Sequence, residues 1–290
     1  MFKGSIVALV TPFKDGAVDE EAYTDLINWL LQSGADGVLP CGTTGESATL
    51  THAEHQRVVS LCIEVVNKRA PVIAGTGSNS TAEAISLTRS AKQAGADGAL
   101  LLSPYYNKPT QEGLYRHYMA VADAVDIPQL IYNIPGRTAV EILPQTMARL
   151  ASHKNIVGVK DAVGNLNKTA EVIALCGPEF LVLSGDDGLT LPIMAMGGHG
   201  VISASANVIP GRMAALVRSA AEGDYSEARR IHYEILPLME ALFLETNPIP
   251  VKTALAMMGR MNEEFRLPLC PMAHMNREKL QMAMRKAELI

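Results

Sequence analysis

Up to about residue 206, short apolar runs recur along the chain, and each ends in small or polar residues. They are SIVALV (5–10), GVLPCG (37–42), PVIAGT (71–76), GALLLS (98–103), PQLIYN (128–133), IVGVKD (156–161), FLVLSGD (180–186) and GVISASA (200–206). Apolarity in these eight runs is continuous and not alternating. That pattern predicts strands buried on both faces, as in a parallel sheet covered by helices. The segments between them predict the helices. Val58, Leu61, Cys62 and Val65 share one face of HAEHQRVVSLCIEVVNK, and Ala84, Leu87, Ala91 and Ala94 share one face of TAEAISLTRSAKQAG. SGADGVL (33–39) and AGADGAL (94–100) echo each other, both leading a helix end through glycine into a strand. Eight strands alternating with helices predict a closed (β/α)8 TIM barrel. The competing arrangement, a doubly wound open sheet, normally has fewer strands and a glycine fingerprint after the first, which is absent here.

The strand signal stops after about residue 223. YSEARRIHYEILPLMEALFLE carries Ile231, Ile235, Leu238 and Leu242 at helical spacing, and a Pro-interrupted NPIPVK and further helix follow. The expected organisation is a catalytic barrel over 1–223 and a C-terminal helical region over 224–290, packed on the barrel.

A chain of 290 residues with 48% hydrophobic and 19% charged residues is not disordered, and it can bury a core without disulfide or metal staples. Its net charge of -5 without a basic run leaves no footprint for nucleic acid or an anionic membrane, so the expected partner is a small molecule. Cys41, Cys62, Cys176 and Cys270 form no CxxC pair and are expected to be reduced thiols. The N-terminal apolar run is too short for a signal peptide, and no stretch is long enough to span a membrane, so the expected location is the cytoplasm.

In such a barrel, chemistry belongs to the C-terminal ends of the strands and the loops after them. Those positions hold Thr11, the loop Gly42–Ser47, Thr76, Ser103, Tyr105, Tyr106, Tyr132, Asn133, Lys160, Asp161, Ser184, Asp186, Asp187 and Ser203, which are expected to face one mouth. Lys160 ends a buried strand, and burial disfavours an ammonium, leaving a free amine able to attack a carbonyl. A lysine there can equally snorkel to solvent or pair with Asp161. Tyr132 ends the preceding strand, about 4.8 Å away across the sheet. Its phenol can shuttle a proton, especially beside Thr43 or Thr44, or simply be a buried tyrosine with a satisfied hydroxyl. Arg137, in a Pro/Gly loop, offers a bidentate grip on a carboxylate, though a surface arginine has the same look. GTTGES presents N–H groups and hydroxyls for another carboxylate, and it lacks the P-loop pattern. Asp186 and Asp187 argue against a phosphorylated substrate, or cap the next helix. His52 and His55 lie three apart at a helix start, a spacing that can fit a metal, but they form no recognised ligand set, so no metal and no cofactor are expected.

TPF (11–13), GTTGES (42–47), AGTGSNST (74–81), SPYYNKPTQEGLY (103–115), YNIPGRT (132–138), VGVKDAVGN (157–165), LSGDD (183–187), GGHGVIS (197–203) and NPIPVK (247–252) together resemble the dihydrodipicolinate synthase family. This is one branch of the pyruvate-dependent class I aldolases, and the resemblance runs end to end. It implies that Lys160 forms an imine with pyruvate, whose enamine attacks aspartate semialdehyde to give hydroxy-tetrahydrodipicolinate on the route to diaminopimelate and lysine. It also implies a proton relay of Tyr132, Thr43 and Tyr106, the last supplied by an adjacent subunit of a homotetramer built from tight dimers. Thr44 matches a contact to the pyruvate carboxylate, Arg137 the residue that orients the semialdehyde carboxylate, and the backbones of Gly185 and Ile202 line the site.

In lysine-inhibited members the effector sits at the dimer interface, at positions matching Ser47, Ala48, His52, His55, Asn79, Glu83 and Tyr105. Free lysine is therefore the expected effector, with Glu83 meeting its ammonium groups. The family's catalytic pattern is intact here, and the departures lie around EEFRLPLCPM in the C-terminal helices. Two other readings remain at this stage. One is an N-acetylneuraminate lyase-like aldolase, which needs sugar-binding groups in place of the Arg137 loop. The other is a non-catalytic sensor of lysine or pyruvate.

Overall fold

The computed structural model describes residues 2–290. Eight short strands alternate with helices: β1 (Gly4–Ala8), β2 (Gly37–Leu39), β3 (Ile73–Gly75), β4 (Gly98–Leu102), β5 (Gln129–Asn133), β6 (Ile156–Asp161), β7 (Leu181–Ser184) and β8 (Gly200–Ser203). They pair in parallel in the order β2-β1-β8-β7-β6-β5-β4-β3. Val38 bridges Val72 in parallel and Gly75 N–H donates to the Pro40 carbonyl at 2.9 Å, which closes the remaining seam into a (β/α)8 barrel. Close approach at that seam requires glycine at position 75, where a Cβ would meet the Cys41 carbonyl oxygen at 2.3 Å.

Strand geometry sends successive side chains to opposite faces. Ile6, Ala8, Leu39, Ile73, Leu100, Leu130, Leu181, Leu183 and Ile202 fill the barrel interior. Their neighbours Val7, Ile131, Val159 and Val182 pack outward against the helices. Continuous apolarity along each run therefore reflects two buried faces. Most surrounding helices start on side-chain caps, including the Thr51–Glu54 capping box and the caps at Asp19, Ser80, Thr110 and Asn165.

The C-terminal helices Tyr225–Ala241, Ile249–Met257 and His274–Lys286 close over this body. Ile231, Ile235, Leu238, Leu242, Leu280 and Met284 share one apolar cluster with Val7 and Val201. One contact reaches the barrel mouth itself. Lys252 Nζ donates to Glu46 Oε1 at 2.5 Å, and both side chains are fully buried. The ammonium also lies 4.2 Å from the Phe13 ring centroid and 5.1 Å from that of Phe265. Glu46 has a left-handed backbone (φ 53°), a conformation that such external contacts must hold for a non-glycine residue.

Removing one member of a buried pair strands the other charge. Lys252→Met should therefore destabilise the protein by about 3–5 kcal/mol, whereas Glu46→Gln combined with Lys252→Met should recover most of that loss. Denaturant unfolding of both variants checks this, and a single variant as stable as wild type would contradict it.

Candidate active site

The register of β5 and β6 pairs Tyr132 with Lys160. Both side chains face the barrel interior, where Lys160 Nζ lies 4.2 Å from the Tyr132 ring centroid. Lys160 is buried and donates no hydrogen bond to a carboxylate, so the alternatives of snorkelling and of pairing with Asp161 do not hold. Burial lowers its amine to about 8, against the opposing pull of the Asp187 carboxyl, while the Arg137 charge pushes it further down. Burial likewise raises the Tyr132 phenol to about 12, with Arg137 and the Thr43 hydroxyl pulling the other way. The tyrosine is thus a neutral donor and acceptor beside an amine that is partly free near neutral pH.

The loop Gly42–Ser47 forms the opposite wall. The Gly45 and Glu46 N–H groups donate to the Gly42 and Thr43 carbonyls, and the Thr11 hydroxyl donates to the Gly45 carbonyl at 2.7 Å. Thr44 is buried, and its hydroxyl oxygen accepts from Asn247 Nδ2 at 2.9 Å. Arg137 sits in a short helical turn, Pro135–Thr138, and donates to the Asn247 carbonyl at 3.2 Å. Arg137 lines two adjoining cavities. One runs past Thr43 and Asn247 towards His52 and Glu83, and the other past Gly185, Asp186, Asp187 and Phe243.

Gly185 leaves room for the Lys160 stem, since a Cβ there would lie 3.0 Å from Lys160 Cγ and Cε. Ile202 packs in the interior cluster with Tyr132. Asp186 caps the following turn through Gly188 N–H. Asp187 is buried and accepts from Ser205 N–H at 2.8 Å; burial raises its carboxyl, with the Ser205 and Ser203 hydroxyls opposing.

Not every polar strand end faces the mouth. Ser103 accepts from Tyr118 of the helix layer, Thr76 bonds Thr88, Asn133 holds the Ile142 backbone, and Asp161 caps Val163 N–H and accepts from Thr169. The two-residue alternation turns these outward while Tyr132 and Lys160 turn inward. Tyr106 lies outside its own barrel. It is 91% exposed, lines neither cavity, and has a left-handed φ of 69°.

Ser47, Ala48, His52, His55, Glu83 and Tyr105 all line the first cavity together with Thr43 and Arg137. Asn79 lies behind it, donating to the Tyr105 carbonyl and accepting from Asn107. Glu83 is not a free carboxylate: it takes His52 Nε2 at 2.8 Å and the Ser78 hydroxyl, and Ser78 first and His52 next lower it. His55 Nε2 meets the Gly75 carbonyl at 2.8 Å, and burial keeps its imidazole below the usual range. Among the described residues, no three His, Cys, Asp or Glu side chains are arranged to hold a metal. Two contributors to the mouth, Asn247 and Lys252, come from the C-terminal region that sequence reasoning assigned to packing. Both lie in the NPIPVK motif, which carried the resemblance but no assigned role; the local signal is a lysine inside the largely apolar IPVKTALAM.

Residues 1–287 match the model of the dihydrodipicolinate synthetase family. This chain belongs to that family. It is 58% identical to the 4-hydroxy-tetrahydrodipicolinate synthase of Thermodesulfovibrio yellowstonii and 59% identical to that of Geobacter sulfurreducens, each over the whole of both chains. Among solved structures, the dihydrodipicolinate synthase of Aquifex aeolicus superposes with a TM-score of 0.98 at 53% identity, covering 99% of each chain. That of Cyanidioschyzon merolae, with lysine bound, superposes at 0.97 and 41% identity over 100% of this chain and 99% of the other. A monomeric variant of the family superposes at 0.98 and 42% identity, covering 100% of this chain and 98% of that one.

Only the unprotonated amine is a nucleophile, so acylation of Lys160 by an amine-selective reagent should rise with pH about a midpoint near 8. Asp187→Asn removes a charge that favours the ammonium, and the midpoint should then move lower. Peptide-resolved labelling from roughly pH 6 to 11 reads both, and a midpoint near the ordinary lysine value would contradict the assignment.

Proposed function

We propose that this protein is a 4-hydroxy-tetrahydrodipicolinate synthase, a lyase with a class I aldolase mechanism that condenses pyruvate with aspartate semialdehyde. The observation that carries this reading is the buried Lys160 amine, free of any carboxylate in contact and stacked on Tyr132. Lys160 Nζ adds to C2 of pyruvate, and the resulting carbinolamine loses water to an imine. Loss of a C3 proton gives the enamine, whose C3 attacks the aldehyde carbon of the semialdehyde. The semialdehyde amine then attacks the imine carbon, closing the ring and displacing Lys160. Tyr132 and Thr43 move the protons of these steps, and Tyr106 of a second copy completes the relay. Thr44 holds the pyruvate carboxylate, Arg137 the semialdehyde carboxylate, and the backbones of Gly185 and Ile202 border the reacting centre.

The exposure and left-handed backbone of Tyr106 support its docking into another subunit, within a homotetramer assembled from dimers. The cavity lined by Ser47, Ala48, His52, His55, Glu83 and Tyr105, with Asn79 behind it, is the proposed site for lysine as feedback inhibitor. Glu83 would exchange His52 for a lysine ammonium. Among the described residues no helix is long and apolar enough to cross a membrane, and a biosynthetic role supports a cytoplasmic location.

Pyruvate consumption by the purified protein is the test, with aspartate semialdehyde and separately N-acetylmannosamine as acceptor. Turnover with the semialdehyde alone, falling as lysine rises through the millimolar range, is expected. Turnover with the amino sugar would overturn the substrate assignment, and an unchanged rate across the lysine series would overturn the regulatory one.

A further inference from the structure

Asn247 lies 203 residues from Thr44 in sequence yet touches its hydroxyl in the buried wall of the site. The direction of that hydrogen bond has a chemical consequence. An amide NH2 is a donor only, so Thr44 Oγ1 is the acceptor at 2.9 Å, and its own proton is left to donate elsewhere. A carboxylate only accepts, so a hydroxyl can hold one only by donating. With the amide reversed, Thr44 would spend its proton on the amide oxygen, and the amide NH2 would lose the one acceptor it has here. Asn247 Oδ1 is buried and has no hydrogen-bond partner, so among the described residues the side chain's hydrogen bonding is directed at Thr44. The residue's backbone serves a separate contact, accepting from Arg137 at 3.2 Å.

We infer that Asn247 is a positioning residue that sets the donor direction of the Thr44 hydroxyl, and thereby tunes the site for the carboxylate of the keto acid. This rests on the proposed role of Thr44 towards pyruvate. Asn247 turns an ambivalent hydroxyl into a committed donor, and it does so from the segment preceding the helix that carries Lys252.

Steady-state kinetics on Asn247→Leu, Thr44→Val and the double variant test this, with thermal melting as a control on folding. Asn247→Leu should raise the KM for pyruvate about tenfold, the size of one hydrogen bond to a charged group, with kcat and the KM for aspartate semialdehyde within about twofold. Thr44→Val should raise the pyruvate KM by about ten- to a hundredfold, and the double variant should be no worse than Thr44→Val, because both act through one hydroxyl. Multiplying effects in the double variant would overturn the inference. So would an Asn247→Leu defect that falls equally on kcat, both KM values and the melting temperature, since that is the mark of a merely structural residue. Absence of pyruvate-dependent turnover in the wild type would instead overturn the proposed function, and this inference with it.

Discussion

Two lysines are buried in this protein, and the difference between them organises the rest. Lys252 lies against the Glu46 carboxylate at 2.5 Å. Burial lowers its amine overall, with the Glu46 charge and hydrogen bond opposing. Such a pair is chemically inert, and its worth is geometric. Lys160 is also buried, without a carboxylate in contact. A ring face and a more distant acid are poor compensation for a desolvated charge, so the neutral amine gains ground. The reactivity proposed for Lys160 rests on its lacking the carboxylate partner that Lys252 has.

Keeping that amine dry requires the barrel beneath it and a lid of polar loops around it. Ile202, Leu183 and Leu130 fill the interior below, and the missing side chain of Gly185 gives the Lys160 stem its path. The loop Gly42–Ser47 carries Thr43 and Thr44 at the mouth. It is braced through Glu46, which meets both Lys252 and the Arg266 backbone. Arg266 in turn bonds Glu54 and the Thr49 carbonyl. The C-terminal region therefore braces the loop that carries Thr43 and Thr44, and burying apolar surface is only part of its task.

The sequence made the barrel legible because each strand is an uninterrupted apolar run closed by a small or polar residue. Lys160 and Tyr132 were legible for the same reason, standing at corresponding ends of consecutive runs. Orientation was not. A run buried on both faces carries no visible alternation, so Asn133 and Asp161 looked as if they shared the mouth with Tyr132 and Lys160, while register turns them into the helix layer. NPIPVK was legible as a family motif, but the roles of Asn247 and Lys252 were not, because their contacts to Thr44 and Glu46 span more than 200 residues and no local period encodes such a return. Glu83 showed its charge in the sequence but not its engagement by His52 and Ser78.

The central claim is that Lys160, and no other lysine, is the nucleophile. Incubation with pyruvate and borohydride, followed by peptide mass spectrometry, tests it most directly by reducing any imine to a stable secondary amine. The account predicts one modified peptide, containing Lys160, with Lys252 untouched. Modification at a different lysine, or none at saturating pyruvate, would contradict it.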